Sequence, residues 1–206
     1  MAISFPTNFP TVTGNGAAAI NGARITMEAW NVVAGSISPY TLQEQTYLFQ
    51  GSMWKLSVSL PLMTRAQAAP FQAWLVGQSG KYGTFLYGPP DNTGLLGSAS
   101  GSVTVNGASQ VGRSLIVASL SGTLKAGDYF SVGTGANARL YMNLVDKTGA
   151  GTLDIFPALD ISPSNGAAVT MGATAKGCFR LAANSVQWDV SEGYLYSLSF
   201  EAYSAI

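Results

Sequence analysis

Residues that could do chemistry are few and far apart in this chain of 206 residues. The sequence has no histidine, which excludes Ser-His and Cys-His catalysis as well as histidine-ligated zinc. Its single thiol, Cys178, can form no internal disulfide and no cysteine-rich metal site, and its neighbour Phe179 indicates a small buried hydrophobe. The composition therefore argues against most enzyme classes, and we expect no catalytic, cofactor-binding or metal-binding residue.

Three short patterns come close to functional motifs. Gly-Asn-Gly at 14–16 and Gly-Thr-Gly at 133–135 resemble loose phosphate-binding loops, but no convincing helix follows either, so we interpret both as turns. Gly-Ser-Ala-Ser-Gly at 97–101 resembles a nucleophile elbow with alanine at its centre, and we interpret it as a flexible junction. The spacing of three acidic residues fits no calcium loop, although a carboxylate pair formed across the fold would still suit a glycosidase: Asp146, Asp154 and Asp160.

Charged residues make up only 10% of the chain, and ten basic residues balance ten acidic ones. The basic residues are spread singly, so the sequence shows no electrostatic footprint for nucleic acid. With so little self-repulsion, the protein is expected to associate or to be covered by partners. No stretch reaches the roughly 18 apolar residues of a spanning helix, and no secretory signal follows Met1. We therefore expect a protein made in the cytoplasm, without membrane insertion.

Alternating hydrophobicity predicts an all-β protein. One clear strand places four apolar side chains on one face, Trp54, Leu56, Val58 and Leu60, and a second does the same with Tyr194, Tyr196, Leu198 and Phe200. Weaker strands are predicted at residues 24–33, 41–49, 84–87, 114–118, 128–132, 139–145, 152–156 and 179–182.

One helix is predicted, over residues 64–78. Thr64 and Gln67 have the spacing of a capping box at its start. Pro70 conflicts with this helix, because proline lacks a backbone donor and its ring clashes with the preceding turn. The helix is therefore predicted either to kink at Pro70 or to begin there. We interpret Phe71 and Trp74 as anchors that hold this helix on a sheet, not as ligand-stacking rings.

The composition changes twice along the chain. Aromatic residues are sparse between about residues 98 and 171 and denser on both sides, and a cluster of turn-forming residues at 88–94 marks the exit from the first part. This pattern predicts a discontinuous β domain, residues 1–92 plus 174–206, into which a small peripheral β-barrel of residues 93–173 is inserted.

Several stretches resemble tail proteins of long-tailed, non-contractile bacteriophages. They are MTRAQAA at 63–69 with Trp74, GKYGTF at 80–85, KAGDY at 125–129, ARLY at 138–141, and FRL at 179–181 continuing through Trp188 to the C-terminal strand. Within these phages the chain is most similar to the distal tail protein family, whose members form a ring, usually hexameric, between the tail tube and the baseplate or tip. The resemblance implies a tube-related β-sandwich or barrel domain with one inserted β-barrel domain, and it carries over no catalytic residue.

On this resemblance we expect a structural virion protein at the distal end of the tail, assembled in the host cytoplasm. Its expected partners are further copies of itself, the tail tube protein and the hub proteins of the tail tip or baseplate. Two other interpretations stay open. The chain could be another tail component, such as a tube, terminator or tip subunit, or it could be a free carbohydrate-binding β module.

Aromatic residues supply two further hypotheses. Phe5, Phe9 and Trp30 are candidates for an N-terminal arm that reaches a neighbouring subunit, and the equal alternative is a first strand that covers its own core. The aromatic residues of the inserted barrel are too few and too scattered to predict a platform for sugars: Tyr129, Phe130, Tyr141 and Phe156.

Overall fold

A computed structural model describes residues 4–10, 23–89 and 94–205. It is all-β with one α-helix, which confirms the fold class predicted from the alternating pattern. The helix α1 spans Arg65–Gly77. The strands are β1 (Thr7–Asn8), β2 (Arg24–Ile37), β3 (Glu44–Ser59), β4 (Phe85–Tyr87), β5 (Thr104–Val105), β6 (Gly112–Ala118), β7 (Thr123–Leu124), β8 (Tyr129–Val132), β9 (Arg139–Asn143), β10 (Lys147–Thr148), β11 (Gly151–Leu159), β12 (Val169–Met171), β13 (Gly177–Leu181), β14 (Trp188–Val190) and β15 (Tyr196–Ser204).

The first sheet has the strand order β1-β4-β13-β15-β3-β2, and β14 also pairs with β15. All of its pairs are antiparallel except β1 with β4, which is parallel. Leu56 and Val58 of β3 are fully buried, and their cross-strand partners are Ala202 and Phe200 of β15. The helix α1 packs on this face, where its own apolar side chains are buried with the strand residues in one core: Ala68, Phe71 and Leu75.

The second sheet has the order β12-β8-β9-β11-β6-β5 and curls into a nearly closed barrel. Two backbone bonds join its first and last strands, because Val105 N–H donates to the Ala167 carbonyl and Val169 N–H to the Val103 carbonyl, both at 2.9 Å. Its strands all lie within residues 104–171, whereas those of the first sheet lie within 7–87 and 177–204. The division into domains 1–92 plus 174–206 and 93–173 stays an interpretation of this strand order.

Trp54 joins the two sheets. Its indole N–H donates to the carbonyl of Leu140 in β9 at 3.0 Å, and its ring meets that of Phe156 in β11 edge to face, at 4.7 Å between centroids. Only 3% of Trp54 is exposed, and Leu140 and Phe156 belong to the same buried cluster as the core of the first sheet. The barrel therefore packs directly on the first sheet through a tryptophan whose polar atom is satisfied.

The helix begins at Arg65, so the prediction that it begins at Pro70 is wrong. The Oε1 atom of Gln67 accepts a hydrogen bond from Thr64 N–H at 3.0 Å, as the capping spacing predicts. Pro70 lies inside the helix. Both Pro70 and Ala66, whose carbonyl would normally accept from residue 70, are exposed, so water can satisfy the carbonyl that loses its donor.

Several strand boundaries differ from those predicted. The predicted strands at 41–49 and 54–60 are parts of one strand, β3, which continues through residues 50–53. Tyr194 is not on the face of β15, because that strand begins at Tyr196 and Tyr194 lies in a turn with a positive φ of 56°. Six short strands were not predicted, because two or three residues show no alternation: β1, β5, β7, β10, β12 and β14.

The contacts of Trp54 predict a graded loss of stability on substitution. Trp54→Phe removes the hydrogen bond to Leu140 but keeps an aromatic ring, and should lower the free energy of unfolding by about 1 kcal/mol. Trp54→Ala also leaves a cavity between the sheets and should cost about 3–5 kcal/mol. Urea denaturation measures both. Equal losses for the two variants would contradict the packing role given to the aromatic ring, because both variants lack the indole N–H.

Candidate functional site

The feature that stands out from the compact part of the molecule is an arm, which we define as residues 32–51. It consists of the outer ends of β2 and β3 and the turn that connects them. The last paired residues before it are Asn31 and Ser52, and the register of the two strands shifts immediately beyond them, between Asn31 and Val33. Pairing then continues from Val33 with Leu48 to Ile37 with Glu44. The paired part of the arm extends roughly 16 Å, at about 3.3 Å per residue.

Both edges of the arm lack a strand partner in the described part of the chain. Among the described residues β2 is the last strand of its sheet, and no described strand pairs with its outer edge. β15 pairs with β3 only from Lys55 to Ser59, and β3 pairs with no strand on that side between residues 44 and 53. An unpaired strand edge carries backbone N–H and C=O groups that can bind another strand.

The arm carries large apolar side chains on both faces. Cross-strand partners share a face, so Val33 and Leu48 lie on one side, while Tyr47 lies on the other and its ring contacts that of Phe49 at 4.9 Å. Each of these four residues is about half exposed or more. The same strand β3 is fully buried further along, at Leu56. The arm therefore presents to solvent the kind of side chain that the rest of β3 buries.

The turn at the tip is closed by three hydrogen bonds among its own residues. Ser38 N–H donates to the Gln43 carbonyl and Leu42 N–H to the Ser38 carbonyl, both at 2.9 Å, and Thr41 N–H donates to Ser38 Oγ at 3.3 Å. Leu42 has a positive φ of 55°. Tyr40 is 95% exposed, so the tip adds a further uncovered aromatic ring.

Charge is almost absent from the arm. Between Glu28 and Lys55 the only charged residue is Glu44. Soluble proteins usually protect an open strand edge with lysines, proline or bulges that discourage pairing. The paired part of this arm contains no lysine, arginine or proline. Open strand edges, apolar faces and little charge together are typical of a surface that binds another protein.

The inserted barrel contacts the arm where it leaves the first sheet. Ala158 N–H of β11 donates to Ser52 Oγ at 2.7 Å, and the Arg113 guanidinium of β6 donates through Nη2 to Asn31 Oδ1. The same guanidinium lies over the ring of Phe156, 5.8 Å from its centroid. Asn31 and Ser52 are cross-strand partners, so both strands are held at the same level.

The hypothesis of an N-terminal arm is wrong for Phe5 and Phe9. Phe9 packs on rings of its own chain, with centroids 5.3 Å from Trp74 and 5.6 Å from Tyr87, and Phe5 contacts Tyr82 at 6.0 Å. The N-terminal strand is also fixed by polar contacts: Thr7 N–H donates to the Thr84 carbonyl at 2.9 Å, and Thr7 Oγ1 accepts from Trp74 Nε1 and Gln78 Nε2 at 3.0 and 2.7 Å. This segment covers its own core, which was the alternative.

Trp30 belongs to β2 and lies at the start of the arm. It is 47% exposed and its ring lies 6.2 Å from that of Tyr203. Its cross-strand partner is Met53. A chain segment that projects toward solvent is therefore present, but it is the hairpin of β2 and β3 and not the N-terminus.

Two of the three acidic residues considered in the sequence form ion pairs with basic side chains. Asp146 pairs with Lys125 at 3.9 Å, and Asp160 pairs with Arg139 at 3.2 Å. Asp154 is an exposed residue of β11. Residues 4–10, 23–89 and 94–205 contain no cluster of three or more histidine, cysteine, aspartate or glutamate side chains that could hold a metal ion.

The barrel aromatics are mainly core residues. Phe130, Tyr141 and Phe156 are each at most 5% exposed, and Tyr129 packs partly buried against the first core. Burial, followed by the Asp160 carboxylate, raises the pKa of Tyr141. A cleft of about 600 Å³ opens beside Tyr141, and Arg139, which pairs with Asp160, forms part of its wall. With three of the four rings buried, they do not form the exposed aromatic platform that sugar binding needs.

The remaining sequence motifs have structural roles where they are described. Residues 133–135 form a turn between β8 and β9, while residues 14–16 lie outside the described part. The segment 97–101 is tied to the barrel, because Ser100 and Ser121 exchange two backbone hydrogen bonds of 2.9 and 3.0 Å. Cys178 is buried, and burial raises the pKa of its thiol. Across the described ranges, no helix has the length and apolar character needed to cross a bilayer.

Comparisons with known proteins assign no family. The sequence matches no protein-family model, and no curated protein matches it. The arm itself was also missed by the sequence analysis, which treated its two halves as separate weak strands. The signal that could have revealed it is the run of 26 residues between Glu28 and Lys55 that carries a single charge and no alternation.

The exposure of the arm predicts where a protease acts first. Chymotrypsin, used at a dilution at which the chain is monomeric, should cut first after Tyr40 or Leu42, because local opening of the arm disrupts few buried contacts. Tyr194 is a matched comparison, since it is 83% exposed in another hairpin turn and should be cut more slowly. Mass spectrometry identifies the first fragments. First cuts within residues 98–171 would contradict this description of the arm.

Proposed function

We propose that the protein is a structural subunit of a homo-oligomeric ring at the distal end of a bacteriophage tail, where it connects the tail tube to the tip or baseplate. The observation that carries the assembly part of the proposal is the arm, with two open strand edges and apolar faces. The location at the tail rests on the sequence stretches that resemble the distal tail protein family. The proposed partners are other copies of the chain, the tail tube protein and the hub proteins of the tip.

The two open edges favour a ring over a dimer. If β2 pairs with β2 of a second copy, the contact is two-fold symmetric and the β3 edge of both copies stays open. If the β2 edge of one copy pairs with the β3 edge of the next, both edges are used and the contact repeats from subunit to subunit. Such a head-to-tail contact closes into a ring when its rotation is a simple fraction of a turn.

The composition of the arm supports burial between subunits. Interface centres are depleted in charge and rich in aromatic residues, and the arm has one charge and three aromatic rings in 20 residues. Backbone pairing supplies the hydrogen bonds, and side chains such as Val33, Tyr47 and Leu48 supply the apolar area. The formal net charge of zero means that six identical subunits meet without strong repulsion.

The sequence stretches that carry the resemblance lie on the compact part of the fold and not on the arm. Residues 63–69 lead into and start α1, residues 80–85 lead into β4, and residues 179–181 end β13. These positions build the sheet and the helix that hold the arm. They are structural positions, as expected of a protein whose function is to assemble.

A single charge in the arm tests the proposal. The native protein should form a species near 130 kDa, about six times the 21.4 kDa subunit. Val33→Lys should raise the concentration at half assembly by about tenfold or more, because the ammonium group would be buried between subunits. Val145→Lys is the matched control, since both valines are 55% exposed and Val145 belongs to the barrel segment and not to the arm.

Analytical ultracentrifugation over a range of concentrations measures these species. A strict monomer at high concentration would contradict self-assembly through the arm and favour the carbohydrate-binding module. A dimer near 43 kDa would contradict the head-to-tail contact, since only the two-fold arrangement stops at two copies. Equal effects of Val33→Lys and Val145→Lys would show that the arm is not the contact.

A further inference from the structure

We propose that the inserted barrel is a brace that fixes the direction of the arm, and that Arg113 is the positioning residue of this brace. The inference rests on the proposed function, because an arm needs a fixed direction only if it must meet a partner. It assigns to residues 93–173 a role in assembly that needs no ligand of the barrel.

A two-stranded arm without further contacts would not keep a fixed direction relative to its sheet. A two-stranded β-ribbon is marginally stable by itself, and its twist is larger and more variable than that of a full sheet. The register shift between Asn31 and Val33 adds a local bend at the point where the arm begins. The last covered residue of β3 toward the arm is Lys55, which pairs with Tyr203 of β15. Beyond Lys55, β15 adds a hydrogen bond in which Ser204 Oγ accepts from Trp54 N–H at 3.3 Å. The direction of the arm must therefore be set mainly by what contacts Asn31, Ser52 and Trp54 from outside the sheet.

The barrel supplies one contact to each of these three positions. Arg113 of β6 donates to Asn31 on β2. Ala158 of β11 donates to Ser52 on β3 at 2.7 Å, and Leu140 of β9 accepts from Trp54 at 3.0 Å. The strands β9, β11 and β6 are neighbours in the barrel, so one continuous barrel surface holds both strands of the arm at its start.

A register shift in the barrel leaves the groups that contact the arm available for these bonds. The pairing of β11 with β6 is interrupted between Asp154 and Leu159, where the register shifts. The interruption leaves Ala158 N–H free of the β6 ladder and able to bind Ser52. It also places Arg113 opposite the irregular stretch, with its guanidinium over Phe156. Phe156 in turn packs on Trp54, so a stack of three side chains runs from the barrel into the first sheet.

Arg113 is the member of the brace that a substitution can test without opening a core. Its side chain is only partly buried, whereas Trp54 and Phe156 are core residues. Its planar guanidinium donates to Asn31 while it stacks on Phe156, which a lysine cannot do in the same way. Arg113→Ala should therefore leave the fold intact and loosen the arm.

The direct readout is the distance between the arm and the barrel within one chain. With Cys178→Ala as background, spin labels are attached to cysteines at Thr41 in the arm turn and at Ser109 in an exposed barrel turn, and labelled protein is diluted in unlabelled protein. Pulsed electron paramagnetic resonance should give a narrow distance distribution for the parent and a clearly broader one for Arg113→Ala. Arg65→Ala, at the exposed start of α1, is the matched control and should stay narrow.

The consequence for assembly is measured separately. Arg113→Ala and Asn31→Ala should each raise the concentration at half assembly by about tenfold, the effect of one hydrogen bond to a charged group. The double variant should be no worse than Arg113→Ala alone, because Asn31→Ala removes only a contact that Arg113→Ala has already removed. Far-ultraviolet circular dichroism and urea denaturation confirm that each variant is folded.

The outcomes separate the two proposals. If the distance distribution of Arg113→Ala equals that of the parent, the brace is wrong, whatever the assembly state. If the distribution broadens but the parent protein never assembles, the brace stands and the ring proposal fails. If the distribution broadens and assembly is unchanged, the arm direction does not govern the ring and the inferred role in assembly is overturned.

Discussion

A β-ribbon that leaves its sheet has hydrogen bonds on only one side of each strand, and this constraint governs the rest of the structure. β2 and β3 pair from the first sheet to the end of the arm with one register shift between Asn31 and Val33, but β15 covers only the inner end of β3. The outer ends place apolar side chains and open edges in solvent. Such a ribbon must be held firmly where it starts and covered where it ends. The contacts of Trp54 meet the first requirement, and the proposed ring meets the second.

The inserted barrel contacts the ribbon of β2 and β3 where the ribbon leaves the first sheet. It is built as a nearly closed sheet with its own buried residues, yet it shares Leu140 and Phe156 with the core of the first sheet. Its surface meets the arm at Asn31 and Ser52, through groups that belong to three adjacent strands. A domain inserted only for decoration would not need these contacts. The low charge of the chain fits the same picture, because few charged groups have to be buried when subunits meet.

The sequence predicts the parts of this fold that have one buried and one solvated face. Alternation identifies the inner half of β3 because Leu56 and Val58 face a core while Ser57 faces outward, and the spacing of Thr64 and Gln67 identifies the start of α1. The sequence does not predict the arm, because neither face of the arm is buried and its side chains therefore need not alternate. The sequence does not predict the contact between Arg113 and Asn31 either, because the two residues are 82 positions apart and only the folded chain brings them together. The wrong assignment of Phe9 to an outward arm has the same origin, since its aromatic partners are distant in sequence.

The central claim is that the arm is held only at its start until another copy pairs with it. Hydrogen–deuterium exchange of backbone amides tests this claim most directly, when it is measured on the dilute monomer and on the assembled species. We expect fast exchange for residues 32–51 in the monomer, slow exchange for Lys55–Ser59 in both states, and marked protection of residues 32–51 after assembly. Arm amides that exchange as slowly as those of Lys55–Ser59 in the monomer, or that stay unprotected in the assembled species, would contradict it.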